Sequence, residues 1–215
     1  MPTQAFAKTK KTASQTPAPD KRAKLLDAAL TLFETRGFDG ASVPEIAAEA
    51  GVAVGTVYRY FPTKEALVNA LYREWKSRYN RMVLAPLPEG LSMREIFGRY
   101  WRRMTLFARS FPRAIRFMDL HHHAAYLDEE SRATGREYAA AAQAFVARAR
   151  KEGAIRDLDP VLVVALMWGA ATGLVKFASQ GALTLDTDAA SQMEEALWRA
   201  IANDRRGNHG QETQG

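Results

Sequence analysis

The sequence predicts an all-α protein, and three observations carry that prediction. Apolar residues recur at the helical spacing of three and four in almost every segment after residue 20. Serine, threonine or aspartate precedes many of these segments, and glycine or proline follows them. No run of alternating apolar and polar residues competes with this pattern. The 215 residues suffice for roughly one and a half domains of ordinary size.

Four predicted helices form a group near the N-terminus. The first has one apolar face and ends at Gly37. Ser42, with a glutamate three residues later, provides the capping box of a short second helix, which ends at Gly51. A third short helix is predicted over residues 54–61, and Thr63 caps a longer fourth helix.

Longer helices follow a break that is rich in proline. The segment Ala85–Gly90 contains two prolines and a glycine, so it cannot continue a helix and is the best domain boundary. Beyond it we predict helices over residues 92–110, 112–122, 128–152, 159–179 and 187–203.

The charge is unevenly distributed along the chain. The net charge is +6, and residues 1–84 hold 13 basic and 8 acidic side chains, whereas residues 85–215 hold 17 and 16. A positive balance confined to the first part favours an anionic partner there, either nucleic acid or a membrane surface. The absence of cysteine excludes disulfide frameworks, thiolate metal sites and cysteine nucleophiles, and it fits a cytoplasmic location.

Targeting and membrane-spanning segments are not expected. The N-terminal residues lack the apolar core of a secretory signal. The longest apolar run, residues 161–175, gives about 22 Å of helix, which is shorter than the roughly 30 Å hydrocarbon core of a bilayer. We therefore predict a buried helix there and no membrane partner.

Two short helices joined by a tight glycine turn predict a helix-turn-helix motif, whose second helix lies in the major groove of DNA. In residues 54–61, Val57 and Phe61 are four apart and are expected to face inward. That register leaves the polar and aromatic residues on the outside: Thr56, Tyr58, Arg59 and Tyr60. Two exposed tyrosines fit contacts with sugars, phosphates or thymine methyl groups. Half-buried packing of the tyrosines is the alternative.

A family resemblance supports this interpretation. It is carried by Gly37-Phe38, Ile46-Ala47, Ala50-Gly51-Val52, Gly55-Thr56-Val57-Tyr58-Arg59-Tyr60-Phe61 and Lys64-Glu65-Ala66-Leu67. In this spacing the segment Ala28–Leu71 resembles the DNA-binding module of the tetracycline-repressor (TetR) family. The resemblance implies a homodimeric transcriptional regulator, most simply a repressor that a small-molecule effector releases from a palindromic operator in double-stranded DNA.

The resemblance also implies DNA-binding residues. Ser42 and Lys64 match positions that grip phosphates, and a second group matches the recognition helix: Gly55, Thr56, Tyr58 and Tyr60, with Arg59 added here. Val54 and Pro44 stand where some relatives carry longer polar side chains, so they cannot read a base edge by a side-chain hydrogen bond. The N-terminal basic residues Lys8, Lys10, Lys11, Lys21 and Arg22 could follow the DNA backbone or be merely solvated.

The central helices are rich in aromatic and methionine residues, which line either an adaptable ligand cavity or an ordinary core. The candidate ligand-binding residues are Tyr100, Trp101, Met104, Phe117, His121, Tyr138 and Trp168. Arg99, Arg102, Arg103, Arg113 and Arg116 on the same helices would suit an anionic head group, unless they form solvated faces. The effector is therefore expected to be largely apolar, with or without an anionic group.

The run His121-His122-His123 is a weak metal candidate, because consecutive helical positions point about 100° apart. We predict no metal and no cofactor. The sequence also lacks nucleophile, phosphate-loop and dinucleotide-binding motifs, so an enzyme is not expected.

A dimer interface is predicted on the last two helices. The helix over 159–179 is apolar almost all round, which requires burial on several sides. Gly169 and Gly173 would let another helix approach closely, and the last helix would contribute Met193, Leu197, Trp198 and Ile201. The alternative is that these residues only fill the core of one subunit.

Together these features divide the chain into a disordered basic arm over residues 1–20, a helix-turn-helix DNA-binding domain with its connecting helix over 21–84, a helical effector-binding and dimerisation domain over 85–204, and a disordered tail over 205–215. The alternative function is a ligand-independent architectural DNA-binding protein, whose affinity would depend little on DNA sequence and strongly on salt.

Overall fold

The computed structural model describes residues 20–121 and 125–203, and that part of the chain folds into helices with no strand. The helices are α1 (Lys21–Arg36), α2 (Val43–Glu49), α3 (Val54–Tyr60), α4 (Lys64–Val83), α5 (Met93–Ser110), α6 (Pro112–His121), α7 (Glu129–Lys151), α8 (Pro160–Ser179) and α9 (Thr187–Ile201). The all-α prediction is confirmed, and the predicted helix limits differ from the observed ones by only one or two residues.

Helices α1, α2 and α3 surround a small apolar core with the start of α4. Leu25, Phe33, Ile46, Val57 and Leu67 are buried in it. α1 ends at a glycine with φ of 70°, whose backbone N–H donates to the last turn of the helix. α2 begins at the predicted capping box, in which serine and glutamate satisfy each other's backbone N–H groups.

Helix α4 links this small group to the rest of the molecule. Its 20 residues span about 30 Å, and it packs against α1 and then against α5, α6 and α7. Two buried amides fix it: Asn69 donates to the carbonyl of Tyr126, and Asn80 donates to the carbonyl of Thr134.

Helix α5 is the centre of the larger body and packs against α4, α6, α8 and α9. The indole of Trp101 is fully buried and donates from Nε1 to the carbonyl of Ala190 at 2.7 Å. The buried carboxylate of Glu194 on α9 accepts from Arg94 and Arg102 on α5, so α5 and α9 are joined by ion pairs as well as by apolar packing.

Helix α8 differs from the sequence prediction in two respects. It is 20 residues long and, by length and composition alone, apolar enough to cross a membrane, so the length argument made from residues 161–175 is wrong. The helix instead packs on α5, α6, α7 and α9. Burial on several sides is also wrong for the protomer, because Leu162, Leu166 and Phe177 are exposed on the outer face of α8.

Candidate DNA-binding surface and cavity

Helix α3 presents the face that the sequence predicted. Val57 and Phe61 are 1% and 5% exposed, whereas Tyr58 is 51% exposed. Thr56 and Tyr60 are half-buried, and Arg59 is exposed with its guanidinium 5.4 Å from the centre of the Tyr60 ring. The inward positions of Val57 and Phe61 and the exposure of Tyr58 and Arg59 are confirmed. Tyr60 instead packs partly against the core, which is the alternative given for the tyrosines. DNA contact by the outward side chains stays a prediction.

Gly55 lies in the first turn of α3 on the same exposed side. A Cβ atom added at this position would meet no heavy atom within 4 Å, and the backbone is not left-handed. Alanine would favour the helix more than glycine does. Packing within the free protein therefore gives no reason for a glycine, whereas close approach of another molecule would.

Ser42 and Lys64, the predicted phosphate ligands, both make bonds within the protein. The Ser42 hydroxyl donates to Glu45 at 2.6 Å as part of the α2 capping box. The ammonium of Lys64 donates to the carbonyls of Phe38 and Ala41 and lies 4.1 Å from the centre of the Phe38 ring. Both residues hold the helix-turn-helix together, and a phosphate contact would have to share or replace these bonds.

Most of the predicted basic arm lies outside the described residues, including Lys8, Lys10 and Lys11. Lys21 is exposed at the start of α1. Arg22 pairs with Glu74 of α4 at 3.4 Å and lies over the ring of Phe61, so it fastens α1 to the motif.

A cavity of about 560 Å³ lies among α4, α6, α7 and α8. Of the seven candidate ligand-binding residues, Tyr138 and Trp168 line it. The remainder of the wall is a mixture of apolar and charged residues: Tyr72, Lys76, Met118, Asp119, Arg132, Gly135, Arg136, Ala139, Val161, Val164, Ala165, Gly169 and Thr172. Tyr100 lines a neighbouring apolar void of only about 30 Å³, which also touches Tyr138.

The other four candidates, Trp101, Met104, Phe117 and His121, line neither space, because each is packed into the core. The two ring nitrogens of His121 lie within hydrogen-bond range of the Tyr126 hydroxyl and the Phe33 carbonyl. Burial lowers the pKa of His121 and so favours the neutral ring. His122 and His123 lie outside the described residues.

Four of the five arginines proposed for an anionic head group make bonds elsewhere in the protein. Arg102 pairs with Glu194, and Arg113 and Arg116 face Glu34 of α1. Arg103 donates to backbone carbonyls of the loop after α4. Of these five arginines, none lines the cavity of about 560 Å³.

Sequence reasoning missed the basic residues that do line the cavity, which are Lys76 of α4 and Arg132 and Arg136 of α7. Lys76 is only 8% exposed and belongs to the buried stripe Tyr72, Lys76, Tyr79 and Val83 of α4. These positions follow the helical spacing of four and three, so a lysine within an apolar stripe was the available signal.

Helix α6 has one face that lines the cavity and another that contacts α1. Met118 and Asp119 line the cavity, and Asp119 accepts a hydrogen bond from Nε1 of Trp168 at 2.7 Å. Arg113 and Arg116 point to α1, where Arg116 donates to Glu34. Helix α6 therefore contacts both the cavity and α1, the helix that packs against α2.

The predicted dimer residues divide between surface and core. Leu197 and Ile201 are buried within the core of the protomer, so it leaves almost none of either side chain exposed for a partner. Trp198 is half-buried, 5.4 Å from the ring of Phe97. Gly169, Gly173 and Met193 remain at the surface or are half-buried, and an added Cβ at either glycine would meet no heavy atom within 4 Å.

Two family models match the chain in succession. Residues 25–71 match the bacterial regulatory proteins of the tetR family, and residues 72–203 match the tetracyclin repressor-like C-terminal domain. The first therefore spans the helix-turn-helix, and the second spans the body that holds the cavity.

Curated relatives and solved structures agree. The HTH-type transcriptional repressor KstR of Rhodococcus jostii (strain RHA1) is 34% identical over 46% of this chain, and the match spans only 50% of that protein. The HTH-type transcriptional regulator RutR of Escherichia coli (strain K12) is 30% identical over 74% of this chain and 76% of its own length.

A structure described as a TetR-family protein from Vibrio parahaemolyticus is 28% identical, with a TM-score of 0.68 over 85% of this chain and 99% of that one. A TetR-family regulator from Marinobacter aquaeolei VT8 shares the fold, with a TM-score of 0.75 over 85% of this chain and 96% of that one, at 24% identity. Two consecutive family models, a relative matched over three quarters of its length and a shared fold lead to one conclusion. The chain belongs to the TetR family, and it is a DNA-binding transcriptional regulator rather than an enzyme.

Proposed function

We propose that this protein is a homodimeric repressor that binds a palindromic operator in the cytoplasm and leaves it when a small molecule enters the cavity. The observation that carries the proposal is the outward face of α3. This face carries tyrosine rings, a threonine hydroxyl and an arginine guanidinium, and the side chains on the other side of the helix, Val57 and Phe61, are buried in the core. A helix of this kind fits the major groove, where hydroxyls and guanidinium groups bond to base edges and phosphates.

Gly55 adds a second argument for DNA at this surface. No other part of the protein comes near a Cβ atom built at Gly55. A glycine at this position is therefore best explained by another molecule that packs closely against it. A DNA backbone packed against the first turn of α3 would make that contact. Tyr58, half exposed beside it, then has a partner for its ring.

The outer face of α8 supports the dimer in this proposal. Leu162 and Phe177 are 59% and 52% exposed, and Leu166 lies between them on the same face. Gly169 and Gly173 continue the face and leave room for a helix to approach. An exposed apolar stripe of this length favours a partner, and two-fold pairing with a second copy would place two α3 helices on two half-sites.

Release of DNA requires that the effector prefer one of two conformations of the dimer. α6 is placed to make that difference, because it lines the cavity on one side and pairs with α1 on the other. An occupant that displaces Met118 or Asp119 would move Arg116 and, with it, α1. The spacing of the two recognition helices would change in consequence.

Selection of genomic fragments by the purified protein tests the DNA-binding part of the proposal. We expect enrichment of one inverted repeat, which the protein then binds in preference to random DNA at a fixed salt concentration. Gly55→Ala and Tyr58→Ala should each weaken this binding about tenfold or more, since each change alters a surface that faces the groove. Gly55→Ala should leave stability unchanged or slightly higher.

Ala147→Arg on the exposed side of α7 is the control, and it should bind the repeat as the wild type does. Equal affinity for the selected repeat and for random DNA would instead support an architectural DNA-binding protein. Unchanged binding by both α3 variants would contradict the assignment of α3 as the recognition helix.

A further inference from the structure

A buried ammonium group lines the cavity. Lys76 is 8% exposed, and its Nζ lies 5.1 to 5.2 Å from the ring centres of Tyr79, Tyr138 and Trp168. Over residues 20–121 and 125–203, no carboxylate forms an ion pair with this nitrogen. The cation is therefore surrounded by aromatic rings on several sides and lacks a counter-ion in the described part of the protein.

Such an arrangement is costly unless a further group completes it. A buried charge loses its hydration, and buried lysines are ordinarily paired. Cation–π contacts with three rings recover part of that loss but do not neutralise the charge. Burial lowers the pKa of Lys76 to about 8, so the ammonium form still predominates at neutral pH.

The other charges of the cavity reinforce this positive potential. Arg132 and Arg136 of α7 line the same space, against one acidic side chain in the lining, Asp119. Asp119 already accepts a hydrogen bond from Trp168. Arg136 pairs with Glu129, and Arg132 lies 4.0 Å from the same carboxylate. The charges of these two arginines are therefore partly neutralised by Glu129, whereas the charge of Lys76 is not.

The side of the cavity formed by α8 is mainly apolar. Val161, Val164, Ala165 and the ring of Trp168 form it, with Met118 of α6 beside them. At about 560 Å³, the cavity is within the range that holds a small organic molecule. A ligand that fits both walls has one charged end and one apolar body.

We propose that the cavity binds a monoanionic organic acid, whose carboxylate pairs with Lys76 while its apolar body packs against α8 and Met118. This assignment rests on the proposed function only in naming that acid as the effector. The acid supplies the counter-ion that the protein lacks, and the aromatic rings around Lys76 exclude water from the pair.

Two pairs of probes test the charge requirement: 2-naphthoate against 2-naphthamide, and decanoate against decanamide. The members of each pair have nearly the same shape and differ in the negative charge. Titration followed by calorimetry and by tryptophan fluorescence should show that at least one acid binds the wild-type protein about ten- to a hundredfold more tightly than its amide.

Lys76→Met should abolish that preference by weakening acid binding while leaving amide binding unchanged or tighter. Lys76→Arg, which keeps the charge, should retain part of it. Lys151→Met, at the exposed end of α7, is the matched control and should behave as the wild type. Circular dichroism of each variant checks that the fold is intact.

The proposal is wrong if amides bind as tightly as acids, if Lys76→Met keeps the preference, or if neither acid binds up to its solubility limit. Operator binding measured with saturating acid separates this question from the proposed function. Acid binding that depends on Lys76 but leaves operator affinity unchanged would support the anion site and contradict its role as the effector site.

Discussion

The environment of Lys76 changes both its pKa and its effect on the stability of the fold. On a helix surface Lys76 would be one of many solvated charges, but on the buried stripe of α4 its ammonium is held among three aromatic rings. Desolvation lowers its pKa from 10.5 to about 8. The folded protein therefore binds this proton less tightly than the unfolded chain does, which makes the charged lysine a cost to stability at neutral pH.

This cost should depend on pH in a defined direction. Below pH 8 both folded and unfolded states carry the proton, and the penalty is complete; between pH 8 and 10.5 only the unfolded chain holds it, so the penalty fades. Lys76→Met should consequently be more stable than the wild type at pH 7, and its advantage should shrink by about 2 kcal/mol by pH 10. Urea unfolding at one protein concentration measures both values.

The neighbours of Lys76 should not obscure this effect. From α4 it faces Tyr72 and Tyr79, from α6 Asp119, and from α7 Arg132, Arg136 and Tyr138. Burial raises the pKa of Tyr72, of Tyr79 well above 10, and of Tyr138 to about 12, so these phenols favour the neutral form across the window. A difference between Lys76→Met and wild type that stays constant from pH 7 to 10 would show that the lysine is not desolvated as described.

At the scale of the element, α6 joins the cavity to α1 by a second route beside α4, which also lines the cavity. It has ten residues, and its cavity face and its α1 face alternate within three turns. Glu34 of α1, whose side chain is 9% exposed, receives Arg116 and faces Arg113. An ion pair shielded in this way couples two helices more strongly than a solvated pair would.

A double-mutant cycle with Glu34→Gln and Arg116→Gln should reveal that coupling. We expect an interaction energy of about 1 kcal/mol in urea unfolding, because the Glu34 carboxylate is only 9% exposed and loses its shortest ion pair when Arg116 is replaced. The exposed pair Arg36–Glu45 provides the control, with an expected coupling of at most about 0.5 kcal/mol. Equal coupling in the two cycles would mean that α6 does not hold α1 through these charges.

The elements themselves were largely predictable from sequence, since caps and periodicity are local signals. Ser42, Thr63 and Asp186 each begin a helix by accepting a backbone hydrogen bond, as expected for these residue types. The site was less predictable, because whether Trp101 lines a cavity or fills the core depends on packing among distant helices. Lys76 was overlooked although its position in the apolar stripe of α4 is a local signal; that it lines a cavity follows only from the packing of α6, α7 and α8 around it.

At the scale of the whole molecule, the proposed dimer depends on the outer face of α8. Sequence reasoning found the glycines of this face but also assigned Leu197 and Ile201 to it, which the protomer buries. Helix periodicity identifies an apolar side but not which protein surface covers it. The exposed residues of α8 and the half-buried Met193 of α9 remain for a second copy.

Gly173→Arg should produce a folded monomer. The position has open space around it in the protomer, so the new side chain disturbs nothing there, but it would place a charge in the apolar interface. Sedimentation velocity should show half the wild-type mass, and Ala147→Arg should remain dimeric. A Gly173→Arg protein that sediments as the wild type would place the interface elsewhere.

The length of α8 has a consequence for the life of the protein in the cell. A newly made protomer carries a 20-residue apolar helix whose outer side is uncovered, and such a surface attracts chaperones, proteases and lipid as readily as a partner. In the proposed dimer a second copy covers this surface, and pairing becomes more complete as copies accumulate. The cellular supply of this regulator should therefore rise more steeply than its rate of synthesis, which gives the gene that encodes it an expression threshold.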